Sequence, residues 1–328
     1  MKHGTFVFAG LITLSLSLGT SLGWAQTTAT KSSAPASPSA PAANPLKVAL
    51  LHWYKANTTT NFTVGSEPLG VAFDGANIWV ANFSDGTVSK LRANDGTLLG
   101  TFATGAVPYG VTFDGANIWV SNAGVVGTVT KLQASTGKIL GTFTVGSNPS
   151  FMAFDGANIW VPNGTNTLTK LRASDGKNLG DFAVSFSPMA TAFDGTNIWV
   201  ACGGTTGGVV SKVRPSDGTV LGTFAVGTAP TGIAFDGASV WVTNRGDNTV
   251  SQLRASDGTT LGTFPTPLLP YGVAFDGSNI WVSSGKGTVE LRVSDGVTLG
   301  NFPGQNGAGV AFDGANVWVA LSHTVQKY

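Results

Sequence analysis

The phrase Phe-Asp-Gly-x-Asn-Ile-Trp-Val, with small variations, occurs seven times, its phenylalanine falling at residues 73, 113, 154, 193, 235, 275 and 312. The intervals run from 37 residues (Phe275 to Phe312) to 42 (Phe193 to Phe235). A tryptophan follows each phenylalanine by six residues, from Trp79 to Trp318. A proline precedes it by five in every copy but the last, from Pro68 to Pro270. A period near 40 marks a unit that cannot bury its apolar surface alone and must stack on copies of itself.

Each copy divides into four strand-like runs. In the first these are Leu69 to Phe73, Asn77 to Asn82, Thr87 to Ala93 and Leu98 to Thr104. Asp74-Gly75 and Asp95-Gly96 separate them, glycine supplying positive φ and aspartate a side chain that bonds its own backbone, as tight hairpins require. A four-stranded antiparallel sheet with two apolar faces follows, and both faces are covered only when copies stand around an axis. The predicted fold is therefore all-β, a seven-bladed β-propeller. Forty-five glycines, with 11% charged and 42% hydrophobic residues, agree with it. Each repeat tryptophan or phenylalanine buried between blades contributes about 4–6 kcal/mol before entropy costs. The last copy stops after its third strand, Thr324 to Tyr328, while Asn61-Phe62-Thr63-Val64-Gly65 matches the fourth-strand segment Thr142-Phe143-Thr144-Val145-Gly146. The expectation is a ring closed three plus one, with Phe62 opposite Val325.

Before the repeats, Lys2, an apolar run from Phe6 to Leu18 and the small residues ending at Ala25 read as a signal peptide over residues 1–25. That run is shorter than the roughly 20 residues of a membrane span. Residues 26–45, rich in Ser, Ala, Pro and Thr, read as a disordered linker. The propeller is assigned to 46–328, with residues 46–60, including Trp53 and Tyr54, left without a strand. These features predict an exported chain, periplasmic or extracellular, not inserted in a membrane and monomeric. Eighteen basic against 17 acidic residues, evenly scattered, give no footprint for nucleic acid. The single Cys202 excludes an intramolecular disulfide and reads as a small buried residue.

The copy PYGVTFDGANIWVSNAGVVGTVTKLQASTGKILGTFTVG, starting at Pro108, resembles the bacterial extracytoplasmic YVTN repeat. It is similar also to the blades of virginiamycin B (streptogramin) lyases. The first resemblance implies a propeller outside the cytoplasm. The second implies a carbon–oxygen lyase using histidine, glutamate and a divalent metal such as magnesium. Only His323 and Glu67, in loops that ring closure makes neighbours, match that chemistry here. No cofactor is expected outside that alternative. Nor does the chain carry a nucleophile elbow, a P-loop, a dinucleotide fingerprint or paired Cys and His ligands.

In a propeller the first-to-second and third-to-fourth turns share one face, which here is a monotonous set of Asp-Gly turns. The opposite face carries loops that vary, and binding residues concentrate on such loops. Two rings there are candidates for holding a small molecule, a glycan or a protein. One follows the proline and includes Tyr109, Met189 and Tyr271. The other follows Trp-Val-x and includes Asn82, Asn122, Asn163 and Asn244, with Arg245 beside it. Arg245-Gly246-Asp247 matches a cell-attachment tripeptide, which a Gly-Asp turn explains. Arginines 92, 172, 214, 254 and 292 each precede an aspartate by three and read as structural pairs; the second copy changes both partners together, to Gln133 and Thr136. The functional expectation is a non-catalytic binding or scaffold module, with a streptogramin lyase-like enzyme and a structural envelope component as alternatives.

Overall fold

The computed structural model describes residues 60–328, so the signal peptide, the linker and the lead-in through residue 59 lie outside the described residues. Seven four-stranded antiparallel sheets form the described chain. Strand β1 (Thr60–Thr63) precedes the first whole blade, which is β2 (Pro68–Phe73), β3 (Asn77–Asn82), β4 (Thr87–Arg92) and β5 (Leu98–Ala103). These bounds fall within one residue of those drawn from turn chemistry. β1 joins the seventh sheet beside Thr324–Lys327, with Phe62 opposite Val325. Closure is thus the expected three plus one.

The repeat residues explain why the sheets stack. Six of the seven repeat tryptophans are fully buried and Trp281 is 9% exposed. Trp79 packs with Val111, Ile118 and Leu132 of the next blade, so the tryptophan is an inter-blade residue. Each tryptophan also lies 5.3–5.7 Å from the phenylalanine of its own outer strand, from Phe62 against Trp318 to Trp281 against Phe302. The motif aspartate does more than turn the chain. Asp74 Oδ1 accepts the Ala76 and Asn77 amides, while Oδ2 accepts the Trp79 indole N–H at 2.8 Å. Every copy repeats the indole bond at 2.7–2.8 Å, so none of the seven buried indole N–H groups is orphaned.

Two glycine positions are set by packing. Gly96, at φ 72°, receives the ring of Phe62, and a Cβ there would stand 2.0 Å from it. Gly110 lies where inner strands approach, with a Cβ position 2.6 Å from the Ser150 carbonyl of the next blade.

A repeated lysine, not anticipated from charge counting, fastens the seams. Lys90, Lys131, Lys170, Lys212 and Lys327 place Nζ 4.9–5.2 Å over the tryptophan of their own blade. Each ammonium also donates to a carbonyl of the neighbouring blade's outer turn at 2.6–2.9 Å. Blade five substitutes Gln252, which reaches Val293 O at 3.2 Å. Blade six substitutes Glu290, which accepts from Asn279 Nδ2 at 2.8 Å instead, and there Tyr328 packs on Trp281 and Phe302. The five Arg–Asp pairs are bonded at 2.7–3.1 Å and half exposed, as expected, and Thr136 donates to Gln133 at 2.7 Å in the copy that lacks the charges.

Candidate functional site

The varied face is built from the β3–β4 type turns and the links between blades, held together by backbone bonds such as Phe83 N to Glu67 O at 3.1 Å and Arg245 N to Ala229 O at 3.1 Å. The residue before each proline is left-handed: Glu67, Val107, Asn148, Ser187, Ala229 and Leu269 have φ between 47° and 57°. Such a conformation costs about 1–3 kcal/mol for a non-glycine residue and persists where surrounding bonds over-determine it.

The asparagine ring is built into the blades. Asn82, Asn163 and Asn244 are fully buried and Asn122 is nearly so. Asn82 and Asn122 accept from Gly65 N and Gly105 N at 3.1 and 3.0 Å, tying each blade link to the sheet it enters. All four amides donate to threonine or serine hydroxyls of the adjacent strand at 2.8–3.0 Å. The Oδ1 atoms of Asn163 and Asn244 are buried without a hydrogen-bond partner among the described residues. Met189 is half-buried and serves through its carbonyl, which accepts Phe151 N at 3.1 Å. Cys202 is buried as expected, its thiol pushed up to about 12 by burial.

The tyrosines behave differently. Tyr109 of blade two and Tyr271 of blade six reach across the axis and join hydroxyl to hydroxyl. Phe151 of blade three lies edge-on between them, 5.1 Å from Tyr109 and 5.9 Å from Tyr271, and Phe83 approaches Tyr109 at 6.3 Å. Arg245 extends over Tyr271 at 6.0 Å. Burial raises both phenols above their ordinary value, against the opposing pull of Arg245, so both are neutral at physiological pH. Beneath this cap lies a channel cavity of about 170 Å³, lined by Val71, Val111, Ile233, Val273 and Val310.

Phe151 was not singled out from sequence, although a signal was present. Its repeat position is glycine in the five copies at Gly70, Gly110, Gly232, Gly272 and Gly309, and alanine at Ala190. The inner strand of blade three runs only over Ala153–Phe154, and Phe151 makes a single bridge to Ala190; the inner strands of blades six and seven, which keep glycine there, are short as well, Val273–Phe275 and Val310–Phe312. Phe151 delivers an aromatic ring to the channel mouth.

Ring closure also brings Glu67 and His323 together. Glu67 N donates to Ser322 O at 2.9 Å. Both side chains line a depression of about 510 Å³ beside the mouth, with Leu69, Phe83, Tyr109 and Asn306. Glu67 accepts a bond from Ser84 Oγ at 2.5 Å. Among the described residues there is no Glu67–His323 ion pair and no group of three His, Cys, Asp or Glu side chains placed to hold a metal. Magnesium prefers near-octahedral oxygen ligation, and one carboxylate beside one imidazole does not fit it.

No family model and no curated protein sequence matches the chain. Its fold is similar to those of many solved structures, among them two propellers. Hydrazine synthase of Kuenenia stuttgartiensis has 16% identity and a TM-score of 0.69, over 81% of this chain and 97% of that one. A streptogramin B lyase has 17% identity and a TM-score of 0.69, over 82% of this chain and 96% of that one. Likeness at this identity establishes the propeller fold, and activity must be argued from the site.

Proposed function

We propose that the chain is an exported, non-catalytic binding module that takes a small ring-bearing ligand at the channel mouth of its varied face. The observation that carries this is the aromatic set Phe83, Tyr109, Phe151 and Tyr271, one member of which, Phe151, stands where the repeat otherwise keeps glycine or alanine. Aromatic walls with a few convergent polar groups suit a sugar ring or an aromatic ring. The depression beside them is large enough for such a ligand. The resemblance to YVTN-type repeats and the leader-like residues 1–25 support a setting outside the cytoplasm.

The test is Phe151→Gly, which restores the repeat residue. Ligand-observed NMR of the full mature chain against monosaccharides and benzene-ring compounds should detect a binder for the native protein and lose it in the variant, which should still unfold in one cooperative transition although the loss of a half-buried ring lowers its midpoint. Undiminished binding by the variant contradicts the proposal. The lyase alternative draws on Glu67 and His323 sharing one depression. Turnover of a streptogramin B lactone that disappears in His323→Ala would favour it. Co-fractionation of the chain with the cell wall would favour the structural alternative.

A further inference from the structure

We propose that the ligand of the channel mouth is an anion, a ring bearing a carboxylate, and that Arg245 is the residue that receives its charge. This rests on the reading of the mouth as a binding site and adds the chemistry it selects. The polar groups of the face are unevenly committed. Its carboxylates are engaged by neighbours: Asp85 accepts Ser66 N at 2.7 Å, Glu67 accepts Ser84 Oγ at 2.5 Å, and Asp247 accepts both Thr228 N and Thr228 Oγ1 at 2.6 Å. Arg245 is exposed, and its guanidinium has no hydrogen-bond or ion-pair partner among the described residues, although Asp247 is only two positions away.

The tyrosine pair adds a second donor. Two neutral phenols bonded to each other use one proton between them, and neither hydroxyl has another partner among the described residues. One O–H is therefore free to donate at the mouth. A phenol donor and a guanidinium beside aromatic rings match the lone pairs of a carboxylate, which takes charge-assisted bonds best. Glu67, which lines the depression beside Phe83, sets the orientation. It repels an anion, so the ring lies against Tyr109 and Phe83 with its carboxylate turned toward Tyr271 and Arg245. Ring acids of this kind include uronic acids and benzoic acids, and the site chemistry is shared by both.

Matched pairs separate the possibilities. Isothermal titration of the full mature chain at low salt with galacturonate against galactose, and with benzoate against benzamide, should show at least one acid binding about 10-fold to 100-fold tighter than its neutral partner. In Arg245→Gln that preference should fall to near one, whereas Arg245→Lys should keep part of it. Arg245 is exposed, so both variants should fold as the native chain does. Equal binding of acid and neutral partner, both lost in Tyr271→Ala, overturns the anion assignment while leaving the mouth as a binding site. An acid preference that survives Arg245→Gln overturns the role of Arg245. Absence of binding by all four compounds counts against the assignment and the site together.

Discussion

Replacing Phe62 with alanine tests whether the first described strand closes the ring. Phe62 stands 5.4 Å from Trp318, packs against Ile78, Leu91 and Val325, and fills the space over Gly96 of blade one. Truncating a buried phenylalanine costs about 3–5 kcal/mol, and Phe62 is half-buried, which places it near the lower end, about 3 kcal/mol. For a domain of this size each kcal/mol lowers Tm by about 2–4 °C, so a fall of roughly 6–12 °C is expected. The control is Phe143→Ala, whose ring makes the same contacts with Trp119 at 5.7 Å and with Gly176 inside a blade of continuous chain. Calorimetry should show both variants losing Tm by similar amounts in one cooperative transition. A Phe62→Ala variant that melts like the native chain while Phe143→Ala shows the full loss would refute closure by β1.

Two further outcomes follow from the seams. Lys131→Met keeps the apolar stem over Trp119 but strips donors from Ala173 O and Ser174 O; each orphaned carbonyl costs about 1–3 kcal/mol, which denaturant unfolding will register. Glu290 has its carboxyl raised above the ordinary 4.5, first by burial and then by Asp276. A raised acid penalises the fold where it is ionised, above its folded value, and not below 4.5. Glu290→Gln should therefore raise Tm slightly at pH 7, with the gain vanishing below pH 4.5 in a thermal series.

Blade number, strand bounds and the pairing of Phe62 with Val325 were legible because they follow from local turns and a counted period. Contacts between blades were less so. The bond from Lys90 to Ala134 O spans 44 residues and depends on how one sheet leans on the next, which no local pattern encodes. The asparagine ring shows the converse difficulty. Regular recurrence on the varied face reads equally as a ligand ring and as one structural task repeated in each blade, and the second is seen at Asn82, which accepts from Gly65 N, and at Asn122, which accepts from Gly105 N. Of the proposed site, Tyr109, Tyr271 and Arg245 were legible on the varied face, whereas Phe151 lies where the period fails, and a search for matches passes over departures. Glu67 and His323 were correctly brought together by closure, but their donor set became clear only from the lining of the depression.

Hydrogen–deuterium exchange of the full mature chain, with and without the tightest ring compound from the NMR panel, tests most directly that function sits at the channel mouth. Protection should be confined to residues 81–86, 106–111, 148–153, 243–247 and 268–273, which surround Phe83, Tyr109, Phe151, Arg245 and Tyr271. Protection centred instead on the Asp-Gly turns at 74–77 and 93–97, or on the outer strands, would contradict the account.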